Sequence, residues 1–123
     1  MIGEPTTFAR GWFDAFPDAL DATAVLVRAR AIKTAQEVER MVLANEIAAA
    51  AMDHVRTLIR PGMTSAQAAA IWQAFVHGEG TGWRGKVDLA YPFSLVWSGP
   101  SIKTFTATSS SLVIEGEPTL FEI

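Results

Sequence analysis

No cysteine occurs anywhere in the 123 residues, which removes disulfides, zinc–thiolate centres and thiol nucleophiles together. Any metal must then be held by carboxylates, by backbone oxygens or by the two histidines, His54 and His77. An excess of charge is lacking too. Ten Lys and Arg stand against thirteen Asp and Glu, and a net −3 gives nucleic acid polymers and anionic membranes little to hold. No apolar run approaches the roughly 20 residues needed to cross a bilayer. The opening MIGEPTTFARG lacks a basic-then-apolar secretion layout, so a soluble, cytoplasmic protein is expected.

What is present is a chain composed to fold. Half of the residues are apolar and 19% are charged, which argues against a disordered or low-complexity chain. Residues 1–33 read as an N-terminal arm or linker, and residues 34–123 as the body of one ordinary domain. In the arm, Phe8, Trp12, Phe13 and Phe16 suit one side of a short helix ending before Pro17. Ala24–Lys33 alternates in part, which predicts a strand or an extended lead-in.

The body opens on a clear signal. Thr34-Ala-Gln-Glu37 is a capping box, in which hydroxyl and carboxylate satisfy two free amides at a helix start. Val38, Met41, Val42, Ile47, Ala48, Ala51, Val55, Leu58 and Ile59 follow at near-helical spacing, predicting a helix from about 35 to about 59. Arg60-Pro61-Gly62 stops it. A second box, Thr64-Ser-Ala-Gln67, predicts a helix through Ala70, Ile71, Phe75 and Val76 to Gly78, completing an antiparallel hairpin. Beyond it, strand-like runs are expected at Val87–Trp97, Lys103–Thr108, Leu112–Glu115 and Thr119–Ile123, with turns at Ser109–Ser111 and Gly116–Pro118. Helices followed by strands give an α+β class.

Residues able to carry chemistry are few. Gly80-Thr-Gly82-Trp-Arg-Gly85 has GxGxxG spacing but follows a helix and precedes a strand, the reverse of a dinucleotide site, so it reads as a flexible connector. Glu39, Glu46 and Asp53 recur every seven residues on one stripe of the first helix. Successive members sit about 10 Å apart, too far to share an ion, and a solvated face explains them. Asp53 and His54 are adjacent and diverge by about 100° on a helix, so a joint site would need a third partner. His77-Gly-Glu79 closes the second helix, where an imidazole can cap carbonyls or pack. No GxSxG, HExxH or Walker pattern is present. Ser109–Ser111 reads as a turn, and Trp12, Trp72, Trp83 and Trp97 as core or interface.

Taken in order, several segments resemble the pita-bread metallohydrolase family, which includes methionine aminopeptidase, Xaa-Pro dipeptidase and creatinase. They are Arg30-Ala-Ile-Lys33, Glu37-Val-Glu39, Met41–Ala48, Arg60-Pro-Gly-Met-Thr64, Ser98-Gly99-Pro100 and Gly116–Glu122. The resemblance covers roughly residues 24–123, and the upstream residues look like the linker after a creatinase-type N-terminal domain. It implies two pseudo-symmetric halves enclosing a pair of divalent metals held by two Asp, one His and two Glu. Glu122 takes the place of the first Asp, one residue before Ile123, and the other four ligands are expected downstream of the residues present. The substrate-contacting His expected soon after the Ser-Gly motif is missing from Ser101–Ser111, where Phe105 and Thr106 stand. Aminopeptidase or creatinase chemistry at the family's own site is therefore not expected.

A helical hairpin followed by a short antiparallel sheet, resembling a truncated pita-bread half-domain, would expose strand edges and apolar surface. Homo-oligomerisation, most simply a two-fold homodimer, is the expected remedy. One functional reading is then a metal-dependent hydrolase with a rebuilt site. It would use zinc, manganese or cobalt held by some of Glu46, Asp53, His54, His77, Glu79 and Glu122 of the associated copies. Its small-molecule substrate would be a phosphodiester such as a cyclic nucleotide, because dipeptidase-type relatives hydrolyse phosphoesters and this chemistry needs mainly charge stabilisation. The other reading is a non-catalytic oligomeric module for binding or assembly.

Overall fold

The computed structural model describes residues 2–3, 15–16, 18, 20–102 and 107–123. Expectations for Phe8, Trp12, Phe13 and the strand start at 103–106 lie outside these residues. The chain divides into two compact units, Met1–Glu39 and Arg40–Ile123.

In the first unit, β1 (Ile2–Gly3) pairs in parallel with β2 (Leu20–Asp21). Phe16 is exposed. Next comes α1, Thr23–Ala31, where partial alternation had predicted an extended chain. Local propensity explains the correction: α1 is rich in Ala, Leu and Arg, which favour helix more than its two valines oppose it. The Arg28 Nε also donates back one turn to the Ala24 carbonyl, at 3.4 Å. No residue of α1 is buried.

Helix α2, Ala35–Leu58, starts in the first unit and forms the spine of the second. Its capping box is made as expected: the Thr34 amide donates to Glu37 Oε2 at 2.7 Å, and the Glu37 amide to Thr34 Oγ1 at 3.2 Å. Helix α3, Ser65–Gly78, repeats the device. Gln67 Oε1 accepts from the Thr64 amide at 2.9 Å, and Thr64 Oγ1 from the Gln67 amide at 3.1 Å. His54 of α2 lies beside Phe75 of α3, and Ile47 beside the chain at Gly80, so the hairpin runs antiparallel.

The core forms where the helices face each other. Ile47, Ala51 and Val55 of α2 pack with Trp72 and Val76 of α3 and with Ala90. A smaller cluster of Ala68, Ala69 and Val96 joins α3 to the sheet. The apolar face of α2 is narrower than its spacing predicts, at both ends of the helix. Val38, Met41, Val42 and Leu58 are exposed, and Leu43 is buried instead. Small Ala68 and Ala69 let the sheet approach α3 closely, a job that periodicity alone does not announce.

The sheet is shorter than the strand-like runs predicted. β3, Leu95–Ser98, pairs antiparallel with β4, Thr119–Glu122, with Leu95 opposite Glu122 and Ser98 opposite Thr119. Residues 87–94 form no ladder, and at Ala90 side chains take both backbone groups: Thr81 Oγ1 accepts from the amide and His77 bonds the carbonyl. Thr108 is likewise not in a strand; its Oγ1 accepts the Val96 amide at 2.9 Å, where a neighbouring strand would bond. Leu112–Glu115 makes only a bridge to Thr64, flanked by two bonds between Val113 and Gly62–Met63. Three helices and a two-stranded antiparallel sheet among the described residues give an α+β fold.

A buried hydroxyl cluster ties these pieces together. Ser65 and Ser98 are both fully buried, with their Oγ atoms 3.1 Å apart. Ser65 Oγ also lies 3.1 Å from the Ser111 carbonyl, which can only accept. Ser65 must therefore donate to Ser111, leaving Ser98 to donate to Ser65. Ser98 Oγ in turn accepts from the Ser101 amide and from Thr119 Oγ1. Start of α3, end of β3, start of β4 and the 109–111 turn meet at one satisfied knot.

Candidate functional site

Each residue singled out from the sequence has a definite place in the second unit. Glu46, on α2, does not face open water. Its Oε1 lies 3.2 Å from Arg84 Nη2, and its Oε2 accepts the Trp83 indole N–H at 3.3 Å. One carboxylate thus holds the first two residues of a short 3-10 turn, Trp83–Gly85. Arg84 sits there with φ 50°, a left-handed conformation unusual for a side-chain-bearing residue. The glycine-rich segment is consequently no loose connector. It is also fixed by Gly80, where an added Cβ would fall 2.3 Å from the Val76 carbonyl oxygen and 2.8 Å from Ile47. Only glycine lets the chain pass so close to α2.

Asp53 and His54 occupy neighbouring exposed positions on α2. Asp53 pairs with Arg56 at 3.4 Å, both side chains largely in solvent, a contact worth little. His54 lays its ring beside Phe75, with centroids 5.0 Å apart and planes tilted by 35°. His77 Nδ1 lies 2.9 Å from the Ala90 carbonyl oxygen. This is the packing and capping role open to a helix-end imidazole, except that the carbonyl belongs to the following segment. Glu79 is exposed at the C-cap of α3, its amide bonded to Phe75. Glu122 is half-buried on β4, opposite Leu95.

These side chains do not converge. Among the described residues, no group of three or more His, Asp or Glu is placed to hold a metal ion. The donor set of a paired divalent-metal centre therefore does not fit these residues taken as one chain. Sequence reasoning missed the partners of Glu46. Trp83 and Arg84 lie nearly forty residues downstream, and nothing local marks a pairing across that span. Gln73 was missed too; its Nε2 donates 3.0 Å to Ser94 Oγ and helps seat the segment before β3. Among the described residues no helix is long and apolar enough to cross a membrane.

Comparison with known proteins adds one match. The model of metallopeptidase family M24 matches residues 39–123, a span that includes α2 almost whole, α3, β3 and β4. No curated protein and no solved structure gives a significant match.

Proposed function

The chain belongs to metallopeptidase family M24, and from that premise we propose that it serves as a self-associating lobe of the metallohydrolase fold, a module for binding and assembly. Membership carries a hydrolase-type, metal-binding ancestry over a partial domain. The observation favouring assembly over chemistry within one chain is the engagement of the candidate ligands. Glu46 is held by Trp83 and Arg84, and His77 by the Ala90 carbonyl. A group already bonded to its own scaffold must give up that bond before it can ligate an ion.

The physical drive to associate is the surface left open. Two-stranded sheets are marginal alone, and Leu89, Tyr91 and Phe93 project into solvent from the segment before β3. A homodimer or higher oligomer would cover such surface.

Family membership also supports a second reading, phosphodiester hydrolysis at a site shared by associated copies. There the candidates are Asp53, His54, Glu79 and Glu122, whose side chains make no hydrogen bond or ion pair to another segment among the described residues. A bound divalent ion, zinc, manganese or cobalt, would supply charge stabilisation. One set of measurements separates the two readings: solution mass, metal content after purification, and turnover of phosphodiester and dipeptide panels with and without chelator. The assembly reading expects an oligomer with no chelator-sensitive turnover. Chelator-sensitive phosphodiester cleavage would replace it with the second reading, and a monomer at micromolar concentration would remove self-association.

A further inference from the structure

The run from Leu89 into β3 keeps one period throughout. Leu89, Tyr91 and Phe93 are exposed, Ala90, Ser94 and Val96 are buried, and Pro92 and Leu95 are intermediate. Such alternation marks extended chain, in which successive residues also send their amide and carbonyl to opposite edges. Hydrogen bonds fix which edge is which. Ala90 gives its amide to Thr81 and its carbonyl to His77, and the Val96 amide goes to Thr108. The Gly99 amide instead bonds the Pro118 carbonyl, on the β4 side. Even positions thus send their backbone groups to the edge held by Thr81, His77 and Thr108, and odd positions send theirs along the line of β4.

Strand β4 uses only part of that line. Its ladder ends with Glu122 opposite Leu95, and Leu89, Tyr91 and Phe93 make no hydrogen bond among the described residues. The open edge runs from Leu89, just after the bend at Asp88, to Phe93. Pro92, which has no amide hydrogen, falls at an even position, so this edge loses no donor to it. Tyr91 is the midpoint and is 84% exposed. The edge is consequently its own complement. Turned end for end about Tyr91, a second edge of the same sequence puts Leu89 opposite Phe93 and Tyr91 opposite Tyr91. Only another copy can bring a second 89–93 edge, and every part of this geometry lies inside the Arg40–Ile123 unit.

We propose that two copies pair antiparallel along residues 89–93, about a two-fold axis at Tyr91. The pairing deepens the assembly reading above, on which it rests, by naming the surface and its register. Amide–carbonyl bonds exchanged among the odd residues satisfy groups that otherwise bond only water. On the outward face Leu89 meets the other copy's Phe93, and the two Tyr91 rings lie together, contacts that stabilise antiparallel pairs. The bend at Asp88 takes each chain off this line at the point where β4 of the other copy takes over. Pairing along one short edge covers little area, so the dimer responds to concentration. Closed about its axis, it leaves neither 89–93 edge open.

The chain has no cysteine of its own, so cross-linking of the full chain can read the register. Under mild oxidation Tyr91→Cys should form a covalent dimer, since residues facing across a bonded antiparallel pair lie about 5.5 Å apart at Cα, within disulfide reach. Leu89→Cys should not, because the two copies of residue 89 lie about 13 Å apart along the strands. Mixing Leu89→Cys with Phe93→Cys should couple one to the other. Solution mass across a concentration series is the second measurement, and wild type should approach twice its 13.3 kDa. Tyr91→Pro removes one edge bond from each copy and none within the lobe, so it should weaken the dimer about tenfold. Circular dichroism should be unchanged by it. Equal cross-linking at positions 89 and 91 would mean random collision and overturn the register. A dimer indifferent to Tyr91→Pro overturns the surface and leaves the assembly reading standing. So does a Tyr91→Pro variant that shifts melting at unchanged mass, the sign of an edge covered within one chain. A wild type monomeric throughout the series overturns both.

Discussion

The imidazole of His77 and the carbonyl of Ala90 are 2.9 Å apart at Nδ1, which fixes the proton on that nitrogen. A carbonyl only accepts, so Nδ1 must donate whether the ring is charged or neutral. In the neutral ring Nε2 is then the bare nitrogen. Nitrogen-detected NMR of the neutral ring should find the Nδ1–H tautomer populated; a dominant Nε2–H form would contradict the bond. His77→Ala should release the Ala90 carbonyl and speed amide exchange across residues 87–94.

The Ser65–Ser98 pair makes a prediction about coupling. Removing either hydroxyl orphans a buried group, so Ser65→Ala or Ser98→Ala should each cost about 1–3 kcal/mol. The double variant leaves fewer orphans and should cost less than the sum, by about 1 kcal/mol. Urea unfolding of all four proteins measures this. Strict additivity would mean the two hydroxyls do not act as one unit.

Gly80 allows the segment after α3 to run against α2. A Cβ there would meet the Val76 carbonyl oxygen at 2.3 Å and Ala90 at 2.9 Å. Backbone cannot swing aside as a side chain can, so Gly80→Ala should destabilise by about 2 kcal/mol or more. The contrast is Gly78, with nothing near its Cβ position. Gly78→Ala should be close to neutral, and equal effects at both sites would refute the steric account.

Glu46 holds the Trp83–Gly85 turn by an ion pair and an indole bond. Glu46→Ala should cost about 1–2 kcal/mol, discounted because Arg84 remains largely in water. Glu46→Gln keeps an acceptor for the indole and should cost less. Tryptophan fluorescence provides a second reading, because Trp83 should become more solvated in the alanine variant. An unchanged spectrum and midpoint would deny Glu46 this role.

At the start of α2, hydrogen bonds from the Thr34 amide and hydroxyl, with Lys33 nearby, hold the Glu37 carboxyl below its ordinary value. A depressed carboxylate pKa means the cap contributes above the unfolded value and is lost as pH falls through the folded one. Acid should therefore fray α2 first at its beginning. Carbon-detected titration of Glu37 should show a midpoint below that of an ordinary glutamate; a midpoint at the ordinary value would count against the box.

Local chemistry was the legible part of this fold. Both capping boxes stand where Thr34, Glu37, Thr64 and Gln67 announced them, because each is written within four residues. The strand at Thr119–Glu122 was legible for the same reason, bounded by Gly116 and Pro118. Other features turn on partners far away in the chain. Val87–Ser94 has strand-like composition, yet Thr81 and His77 claim its backbone at Ala90, and no local pattern predicts that. Glu46 read as a solvated stripe with Glu39 and Asp53, until Arg84 and Trp83 folded onto it. Which candidate ligands come together was not legible in the sequence, since convergence of side chains is a three-dimensional property that residue type alone cannot supply.

The hydrogen bonds that tie α3 to the sheet run among hydroxyls, an amide and a carbonyl, with no ionised group among them. Brine and moderate acid have nothing there to neutralise. The Glu46–Arg84 pair, by contrast, weakens as the Debye length shrinks. Ionic strength therefore acts on the Trp83–Gly85 turn and not on the sheet, so that loosening of the one and loss of the other become two separate events on a salt axis.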